Sequence, residues 1–416
     1  MSAVPDLSDL LTIRDFERAA RAALPAAMFD TLFGAVGAEL WRTNTNNVEA
    51  FDALPLRPRV MTGVGARNLA TTVLGQEISL PIIAAPTGSH QRVHADGEMA
   101  TACGTALAGT AMILSSVSNF SLEEVGPSTD GPKWFQSYVF KDREMSADLI
   151  RRAEAAGFSA IVLTVDNISG RVEHNERARR NGYSFADEVR TSPTLQADRV
   201  LRNLQPYETP AHGRQPRFQR QGLGDAFDPT LSWADLDWVR SITPLPVVVK
   251  GIQTAEDAIL AAQHGVDAVV ISNHGGTSVE TDGQVGSLTL LPEVNDAVGD
   301  SLEVYLDGGI RSGGDVLKAL ALGARAVLIG RAEVWGLAVA GAEGVARVFE
   351  ILASELDATM GLCGVSDVRS VSRAIVGRFR GTILASGLER TAWLHWANTL
   401  NDQEFAAAKT RVLGAR

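Results

Sequence analysis

The stretch that decides the fold is EVYLDGGIRSGGDVLKALALGARAVLIGR, residues 303–331. It begins with an apolar run of strand length, at 303–306, continues through a helix-length segment, and ends in a second apolar run at 326–329. An apolar strand, a helix and another apolar strand predict a βαβ unit with parallel strands covered on both faces. Glycine-rich turns follow both strands, at 307–315 and at 329–331.

The same alternation of strand and helix runs through most of the chain. Strands are predicted at residues 82–85, 111–114, 134–139, 160–165, 247–250, 268–272, 303–306 and 326–329. Eight such units in one chain predict an α/β fold, a closed TIM (β/α)8 barrel, more readily than an open sheet. The predicted organisation is an N-terminal helical extension packing on the barrel (1–80, with a hairpin), the barrel (81–380) and a C-terminal tail (381–416).

A long insertion interrupts the regular pattern after the fourth predicted strand, at residues 167–231. It carries ten arginines between Arg171 and Arg220 and has little periodicity. Barrel enzymes place their chemistry at the C-terminal ends of the strands, and long irregular loops there are typical of active-site lids. A solvated insertion without a role is the alternative.

Composition excludes several classes of protein. The chain has 416 residues and a formal net charge of −11, which argues against a nucleic-acid partner bound through phosphate neutralisation. Its apolar runs are far shorter than the roughly 18 residues that a membrane span needs. The two cysteines, Cys103 and Cys363, fit no metal-ligand spacing, and both are expected to be buried. We therefore predict a cytoplasmic protein with no membrane span and no metal site.

The turns after the seventh and eighth strands predict a phosphate site. Barrels commonly hold phosphate at this place through backbone N–H groups and a helix N-terminus. Glycines such as Gly309 and Gly330 let the backbone approach an anion, and Arg311 and Arg331 supply positive charge. Simple tight turns are the alternative reading.

Three further residues at strand ends are candidates for catalysis. His274 follows the sixth strand and precedes two glycines, a position that favours a base over a structural histidine. Asp166 ends the fourth strand and could hydrogen-bond the imidazole, or it could cap the following turn. Lys250 ends an apolar strand, where it could stabilise negative charge or form a Schiff base.

The ordered motifs resemble those of the FMN-dependent α-hydroxy-acid oxidases and dehydrogenases, the family of glycolate oxidase, lactate oxidase and mandelate dehydrogenase. The resemblance spans residues 44–364, most of the chain. The segments that carry it include APTG (85–88), DGE (96–98), LSS (114–116), WFQSY (134–138), LTVD (163–166), KGI (250–252), SNHGG (272–276), DGGIR (307–311) and GR (330–331).

The resemblance implies a role for each matching residue around FMN. Contacts to the isoalloxazine ring would come from Thr87, Gly88, Ser116, Gln136 and Thr164, with Ser272 close by. Lys250 would stabilise the reduced flavin, and the ribityl phosphate would be held by Asp307, Gly309, Arg311, Gly330 and Arg331. His274 would take the hydroxyl proton of the substrate while the substrate carbon transfers hydride to flavin N5, and Asp166 would support the imidazolium.

The chain departs from the family at the residues that orient the substrate carboxylate. The arginine expected three residues after the histidine is replaced by Thr277. A second expected arginine falls on Val172, or on Glu173 if the alignment has no gap, although Arg171 is adjacent to Val172. A tyrosine of the N-terminal helix is replaced by Phe33, whereas the strand-three tyrosine remains as Tyr138. Because an arginine–carboxylate pair contributes both affinity and orientation, we expect a substrate other than a simple 2-hydroxy acid.

Several functional hypotheses therefore stay open. The first is an FMN enzyme that oxidises a CH–OH or CH–NH2 carbon of a larger molecule lacking a free α-carboxylate, such as a biosynthetic intermediate. A conventional (S)-2-hydroxy-acid oxidase using Arg171 or another arginine of the insertion is the second, and a Schiff-base aldolase or lyase using Lys250 is the third. The electron acceptor would be oxygen, a quinone or a protein, and the family resemblance implies a homotetramer.

Overall fold

The computed structural model describes residues 6–33, 38–166, 201–207, 226–276 and 284–378. Ahead of the barrel lie three helices, α1 (Ile13–Ala23), α2 (Ala26–Phe33) and α3 (Ala38–Ala53), and an antiparallel hairpin of strands β1 (Thr71–Val73) and β2 (Gln76–Ile78). Helix α1 begins with a capping box between Thr12 and Asp15, and it buries Ile13, Phe16 and Ala20. The extension thus contains the predicted helices and hairpin.

The centre of the molecule is a closed barrel of eight parallel strands. The strands are β3 (Ile82–Ala84), β4 (Met112–Ser115), β5 (Lys133–Ser137), β6 (Ile161–Thr164), β7 (Val247–Ile252), β8 (Ala268–Ile271), β9 (Glu303–Asp307) and β10 (Ala326–Ile329). They pair in chain order, and β10 closes the barrel on β3. The predicted TIM barrel is confirmed, and each predicted strand overlaps one of these eight.

Helices surround the barrel in the described residues. They are α4 (Gly97–Leu107), α5 (Leu122–Val125), α6 (Arg143–Ala155), α7 (Ala234–Ile242), α8 (Ala255–Gln263), α9 (Leu291–Val298), α10 (Gly313–Ala321) and α11 (Arg331–Cys363). Helix α11 is kinked, because Ala340 and Gly341 have non-helical backbone angles. In the described ranges, none of the helices is both long and apolar enough to cross a membrane.

Two hydrophobic cores follow from the alternation of side chains along the strands. The larger lies between the barrel and its helices and includes Phe16 and Trp335. The smaller fills the barrel interior, where Val73 and Ile78 of the hairpin pack with Trp134 and Tyr305. The hairpin therefore closes the N-terminal end of the barrel, which leaves the C-terminal end for a site.

The expectation of two buried cysteines is wrong for one of them. Cys363 is buried, but Cys103 is exposed on the outer side of α4. Its helix neighbours Thr101, Ala102 and Gly104 are buried instead, so the inward face of α4 excludes Cys103.

Candidate active site

His274 and Asp166 form a hydrogen-bonded pair at the C-terminal end of the barrel. The distance from His274 Nδ1 to Asp166 Oδ1 is 2.7 Å. The carboxylate side chain is only 3% exposed, whereas the imidazole side chain is 21% exposed. Because a carboxylate accepts hydrogen bonds, the neutral imidazole carries its proton on Nδ1 and keeps a lone pair on Nε2. The pair can therefore take up a proton at Nε2 and hold the resulting imidazolium.

A glycine in the neighbouring strand makes room for Asp166. The pairing of β7 with β8 shifts register between Lys250 and Ile252, and Gly251 between them has a φ of +119°. A β-carbon at Gly251 would lie 2.7 Å from Asp166 Cβ. The bulge and the glycine therefore leave room for the Asp166 side chain, which contacts the imidazole.

Lys250 is buried among acceptors rather than among apolar side chains. Its Nζ lies 2.9 Å from Ser272 Oγ and 3.0 Å from Asp307 Oδ2. Burial acts to lower the pKa of Lys250, but the negative charges of Asp307 and Asp166 outweigh it and raise that pKa. The amine is therefore a fixed positive charge, and a protonated amine is a poor nucleophile for Schiff-base chemistry.

Several buried polar atoms on this rim have no hydrogen-bond partner in the described part of the chain. They are Ser116 Oγ, Gln136 Nε2, Thr164 Oγ1 and Asp307 Oδ1. The side-chain carbonyl of Gln136 already accepts from Ser115 Oγ at 3.2 Å and from the Ser116 N–H at 3.3 Å, which turns its amide nitrogen away from them. Buried polar atoms are costly without partners, so this set fits the polar edge of a bound cofactor.

The predicted phosphate residues bring two guanidinium groups together. Burial and, to a smaller extent, the positive charge of Arg311 together lower the pKa of Arg331 to about 9. Burial also lowers the pKa of Arg311, whose guanidinium stacks on the Trp335 ring at 4.9 Å. Two desolvated like charges are stabilised by an anion between them, so the arrangement fits a phosphate.

Close packing, and not only the predicted anion binding, explains why Gly309 and Gly330 are glycines. Gly309 has a φ of +92°, and a β-carbon there would lie 2.2 Å from the carbonyl oxygen of Asn47 in α3. Close packing of α3 on the turn after β9 therefore demands the glycine, whether or not an anion is bound there. At Gly330 the nearest atom to a β-carbon would be Thr87 Cγ2, at 3.2 Å.

A buried polar cluster behind the rim is not visible from the sequence pattern. Thr87 Oγ1 donates to Glu333 Oε1 at 3.1 Å and also contacts His90 Nε2, while His90 Nδ1 lies 2.9 Å from Thr101 Oγ1. Burial lowers the pKa of His90 to about 4 and raises the pKa of Glu333 well above its usual value. Both groups are therefore neutral. An acid at the start of a helix is typical of an exposed N-terminal turn, so the sequence held no signal for this cluster.

The structure describes some of the other predicted pocket residues but not all of them. The Tyr138 ring stacks on Phe227, with ring centroids 4.3 Å apart. Phe33 packs between Phe29 at 4.8 Å and Trp335 at 6.0 Å, measured between ring centroids. Gly88 lies beside Val117 after β3. The predictions for Arg171, Val172 and Thr277 fall outside the described residues. No three His, Cys, Asp or Glu side chains in the described ranges form a candidate metal site.

The fold and the site together define a class of protein, a TIM-barrel enzyme with two buried arginines, a buried lysine and a histidine–aspartate pair at one rim. The sequence model of the family described as FMN-dependent dehydrogenase matches residues 20–378. The chain therefore belongs to this family, and it is an FMN-dependent oxidoreductase acting on CH–OH donors. The unpartnered rim atoms and the paired arginines fit that cofactor.

The sequence similarity to relatives extends over nearly their whole length. A peroxisomal (S)-2-hydroxyacid oxidase of Arabidopsis thaliana is 40% identical over 367 residues, 88% of this chain and 96% of the relative. An L-lactate oxidase of Nostoc sp. is 40% identical over 374 residues, 89% of this chain and 99% of the relative.

Solved structures of a mandelate oxidase and a mandelate dehydrogenase have the same fold as this chain. A mandelate oxidase crystal structure superposes with a TM-score of 0.75 at 36% identity, covering 89% of this chain and 100% of that chain. A soluble mutant of the membrane-associated (S)-mandelate dehydrogenase of Pseudomonas putida superposes with a TM-score of 0.77 at 31% identity, covering 88% of this chain and 99% of that chain.

Proposed function

We propose that the protein oxidises a CH–OH carbon, or a CH–NH2 carbon, with His274 as the base. The observation that carries this proposal is the 2.7 Å contact between His274 Nδ1 and Asp166 Oδ1, which leaves Nε2 to accept a proton. FMN, when bound, would supply the acceptor for the hydride that the same substrate carbon loses. The alcohol thus becomes a carbonyl, its hydroxyl proton moves to Nε2, and Asp166 stabilises the imidazolium.

The remaining rim residues would hold the cofactor. Hydrogen bonds to the ring would come from Ser116, Gln136 and Thr164, whose buried polar atoms need partners. Lys250 would place its fixed positive charge beside the ring, and Arg311 with Arg331 would bind the phosphate. Thr87, Gly88 and Ser272 complete the site, with Gly309, Gly330 and Asp307 at the phosphate loop.

For the substrate, we propose a hydroxy compound larger than a simple 2-hydroxy acid and lacking a free α-carboxylate, such as a hydroxy amide or ester. The support is in the sequence, where Thr277, Val172 and Phe33 occupy positions at which the family has carboxylate-orienting groups. A related case supports the class of substrate: a solved structure of a mandelate oxidase variant with an arginine replaced by leucine holds 2-hydroxy-phenylacetamide (TM-score 0.74, 36% identity).

The second candidate is a conventional (S)-2-hydroxy-acid oxidase in which Arg171 or another insertion arginine binds the carboxylate. The observation that favours it is the 40% identity with hydroxy-acid and lactate oxidases over nearly their full length. We propose that oxygen, a quinone or a protein accepts the electrons, and that the protein is a cytoplasmic homotetramer.

Matched substrates separate the two candidates. The FMN-loaded protein is mixed anaerobically with mandelate, lactate and glycolate, with the corresponding amides and esters, and with the CH–NH2 analogues of these compounds. Bleaching of the visible flavin band is followed. The carboxylate-free proposal expects the amide or ester to bleach the flavin faster than its acid. Faster bleaching by the acids, abolished by Arg171→Leu, would contradict it and establish the conventional candidate. A protein bleached by CH–NH2 donors alone would restrict the substrate class to amines.

A further inference from the structure

The turn that presents His274 has an unusual backbone. His274 has a φ of +56°, and Gly275 and Gly276 follow with φ values of +67° and +94°. Three successive left-handed residues are rare, and a residue with a β-carbon adopts this conformation only where its surroundings hold it. Neighbouring groups must therefore hold the turn.

One anchor comes from the barrel. Ser272 Oγ accepts a hydrogen bond from the His274 N–H at 3.0 Å and another from Lys250 Nζ at 2.9 Å. This anchor fixes the entry to the turn. It belongs to the site already described.

A second anchor holds the exit of the turn. Asn273 Oδ1 accepts from the Gly276 N–H at 3.0 Å, and Asn273 Nδ2 donates to the carbonyl oxygen of Val285 at 3.3 Å. These two bonds fix which end of the Asn273 amide is oxygen and which is nitrogen. The side chain of Asn273 is fully buried.

The buried Asn273 amide is in turn matched by an asparagine of the N-terminal extension. Asn47 Nδ2 donates to Asn273 Oδ1 at 2.9 Å, and Asn273 Nδ2 donates to Asn47 Oδ1 at 2.8 Å. Asn47 is itself fully buried, and its Oδ1 also accepts from the Ser287 N–H at 3.0 Å. The reciprocal amide pair therefore joins α3 to the turn of residues 272–276, here called the base turn. It also joins α3 to the segment that contains Val285 and Ser287.

Helix α3 also packs directly on the turn. A β-carbon at Gly276 would lie 2.9 Å from the backbone nitrogen of Asn44. The turn therefore lies between the barrel on one side and α3 on the other. Asn47 is the α3 side chain that hydrogen-bonds across this contact to Asn273.

We propose that Asn47 is a positioning residue for the reaction: acting through Asn273, it holds the left-handed turn that presents His274 to the substrate. The proposal rests on the proposed role of His274 as base and assigns a function to the N-terminal extension. Asn47 neither touches the reacting atoms nor moves a proton. Its loss lets the turn relax and displaces the imidazole.

The test measures the rate constant of anaerobic flavin reduction at matched FMN occupancy. The reductant, at saturating concentration, is the compound among mandelate, lactate, glycolate and their amides and esters that bleaches the wild-type flavin fastest. Asn47→Ala is expected to lower this rate constant about 10- to 100-fold, because small misplacements of a catalytic group have effects of this size. KM is expected to change much less. Asn47→Asp keeps the side-chain volume but places an acceptor against Asn273 Oδ1, so it is expected to slow reduction as well.

Epistasis with the base separates positioning from a general structural effect. In a His274→Ala background there is no imidazole left to misplace, so adding Asn47→Ala is expected to change the residual rate less than about twofold. The matched control is Asn46→Ala, which removes a 2.6 Å bond from α3 to the Gln284 carbonyl but none to the base turn, and which is expected to keep the wild-type rate.

The outcomes decide both proposals separately. An Asn47→Ala effect that persists undiminished in the His274→Ala background overturns the positioning role and leaves the base assignment intact. Wild-type reduction by both Asn47 variants overturns the positioning role as well. A His274→Ala protein that reduces its flavin at the wild-type rate overturns the proposed base and the positioning role together.

Discussion

The barrel buries one lysine at each end, Lys133 and Lys250, and the two have different hydrogen-bond and ion-pair partners. Lys133 begins β5 at the N-terminal end, and its Nζ donates to the carbonyl oxygens of Thr129 and Gly131 at 2.5 and 2.9 Å. Burial lowers the pKa of Lys133. At the C-terminal end, the carboxylates of Asp307 and Asp166 raise the pKa of Lys250. The N-terminal end thus surrounds its lysine with neutral carbonyl groups, whereas the C-terminal end surrounds its lysine with carboxylates.

The neutral polar groups differ in the same way. At the N-terminal end Gln76 Oε1 accepts from Ser159 Oγ at 2.9 Å and from Trp134 Nε1 at 3.4 Å. At the C-terminal end Ser116 Oγ and Thr164 Oγ1 are buried without partners in the described residues. A satisfied end stabilises the fold, and an unsatisfied end is organised for a ligand.

The two lysines should differ most when each is replaced by methionine. Lys250→Met leaves Asp307 and Asp166 buried without their cation, so we expect it to lower the free energy of unfolding by about 3–5 kcal/mol. Lys133→Met leaves only neutral carbonyls behind, and we expect a loss of about 1 kcal/mol. Urea unfolding of the two apoproteins measures both values, and equal losses would remove the contrast between the ends.

The C-terminal side should also be the pH-sensitive side. Burial raises the pKa of Glu98 from 4.5 to about 7, although its Oε1 accepts from the backbone N–H groups of His90 and Asn119. Between these pKa values the unfolded chain loses its proton first, so the stability contributed by the neutral acid falls as pH rises, by at most about 3 kcal/mol.

Glu98→Gln should flatten this dependence. The comparison is the unfolding free energy of both proteins at pH 5 and at pH 7.5. A wild-type protein whose stability falls no more steeply than that of the variant would show that Glu98 is ionised in the fold.

Removing an unpartnered hydroxyl should affect ligand binding rather than folding. Thr164→Val is expected to weaken FMN binding about 5- to 10-fold, the equivalent of one net hydrogen bond, while the apoprotein unfolds at the same temperature or a higher one. Calorimetric titration of apoprotein with FMN, beside thermal unfolding without it, measures the two effects. Destabilised apoprotein with unchanged FMN affinity would mean that Thr164 is structural.

The reverse result is expected at the other end. Gln76→Leu removes the acceptor shared by Ser159 and Trp134, and we expect it to lower the free energy of unfolding by about 1 kcal/mol. FMN affinity and the rate of flavin reduction should stay at the wild-type values. A change in either one would link the hairpin end to the site.

Much of this organisation was predictable, because buried parallel strands are continuous apolar runs. The run at Ala326–Ile329 matches its strand residue for residue, and the others differ only near their ends, where pairing rather than composition sets the boundary. The His274–Asp166 contact was also predictable, since the C-terminal ends of barrel strands converge.

Contacts that join distant elements could not be predicted. The bulge at Gly251, the Asn47–Asn273 pair and the Thr87–His90–Glu333 cluster each depend on how two segments meet in space. Glycine alone does not show which neighbour requires it, as Gly309 illustrates: its neighbour is a helix of the extension. A single sequence records the residues of such contacts but not their pairing.

The imidazole of His274 is central to the proposed reaction, and one measurement tests its role as base. His274→Ala is loaded with FMN, its occupancy is matched to the wild-type protein, and the rate of anaerobic flavin reduction by the best substrate is followed by the loss of visible absorbance. We expect FMN binding close to wild type and a rate lowered about 10²- to 10⁴-fold, the usual contribution of a general base. Reduction at the wild-type rate would contradict the role of His274 as the base.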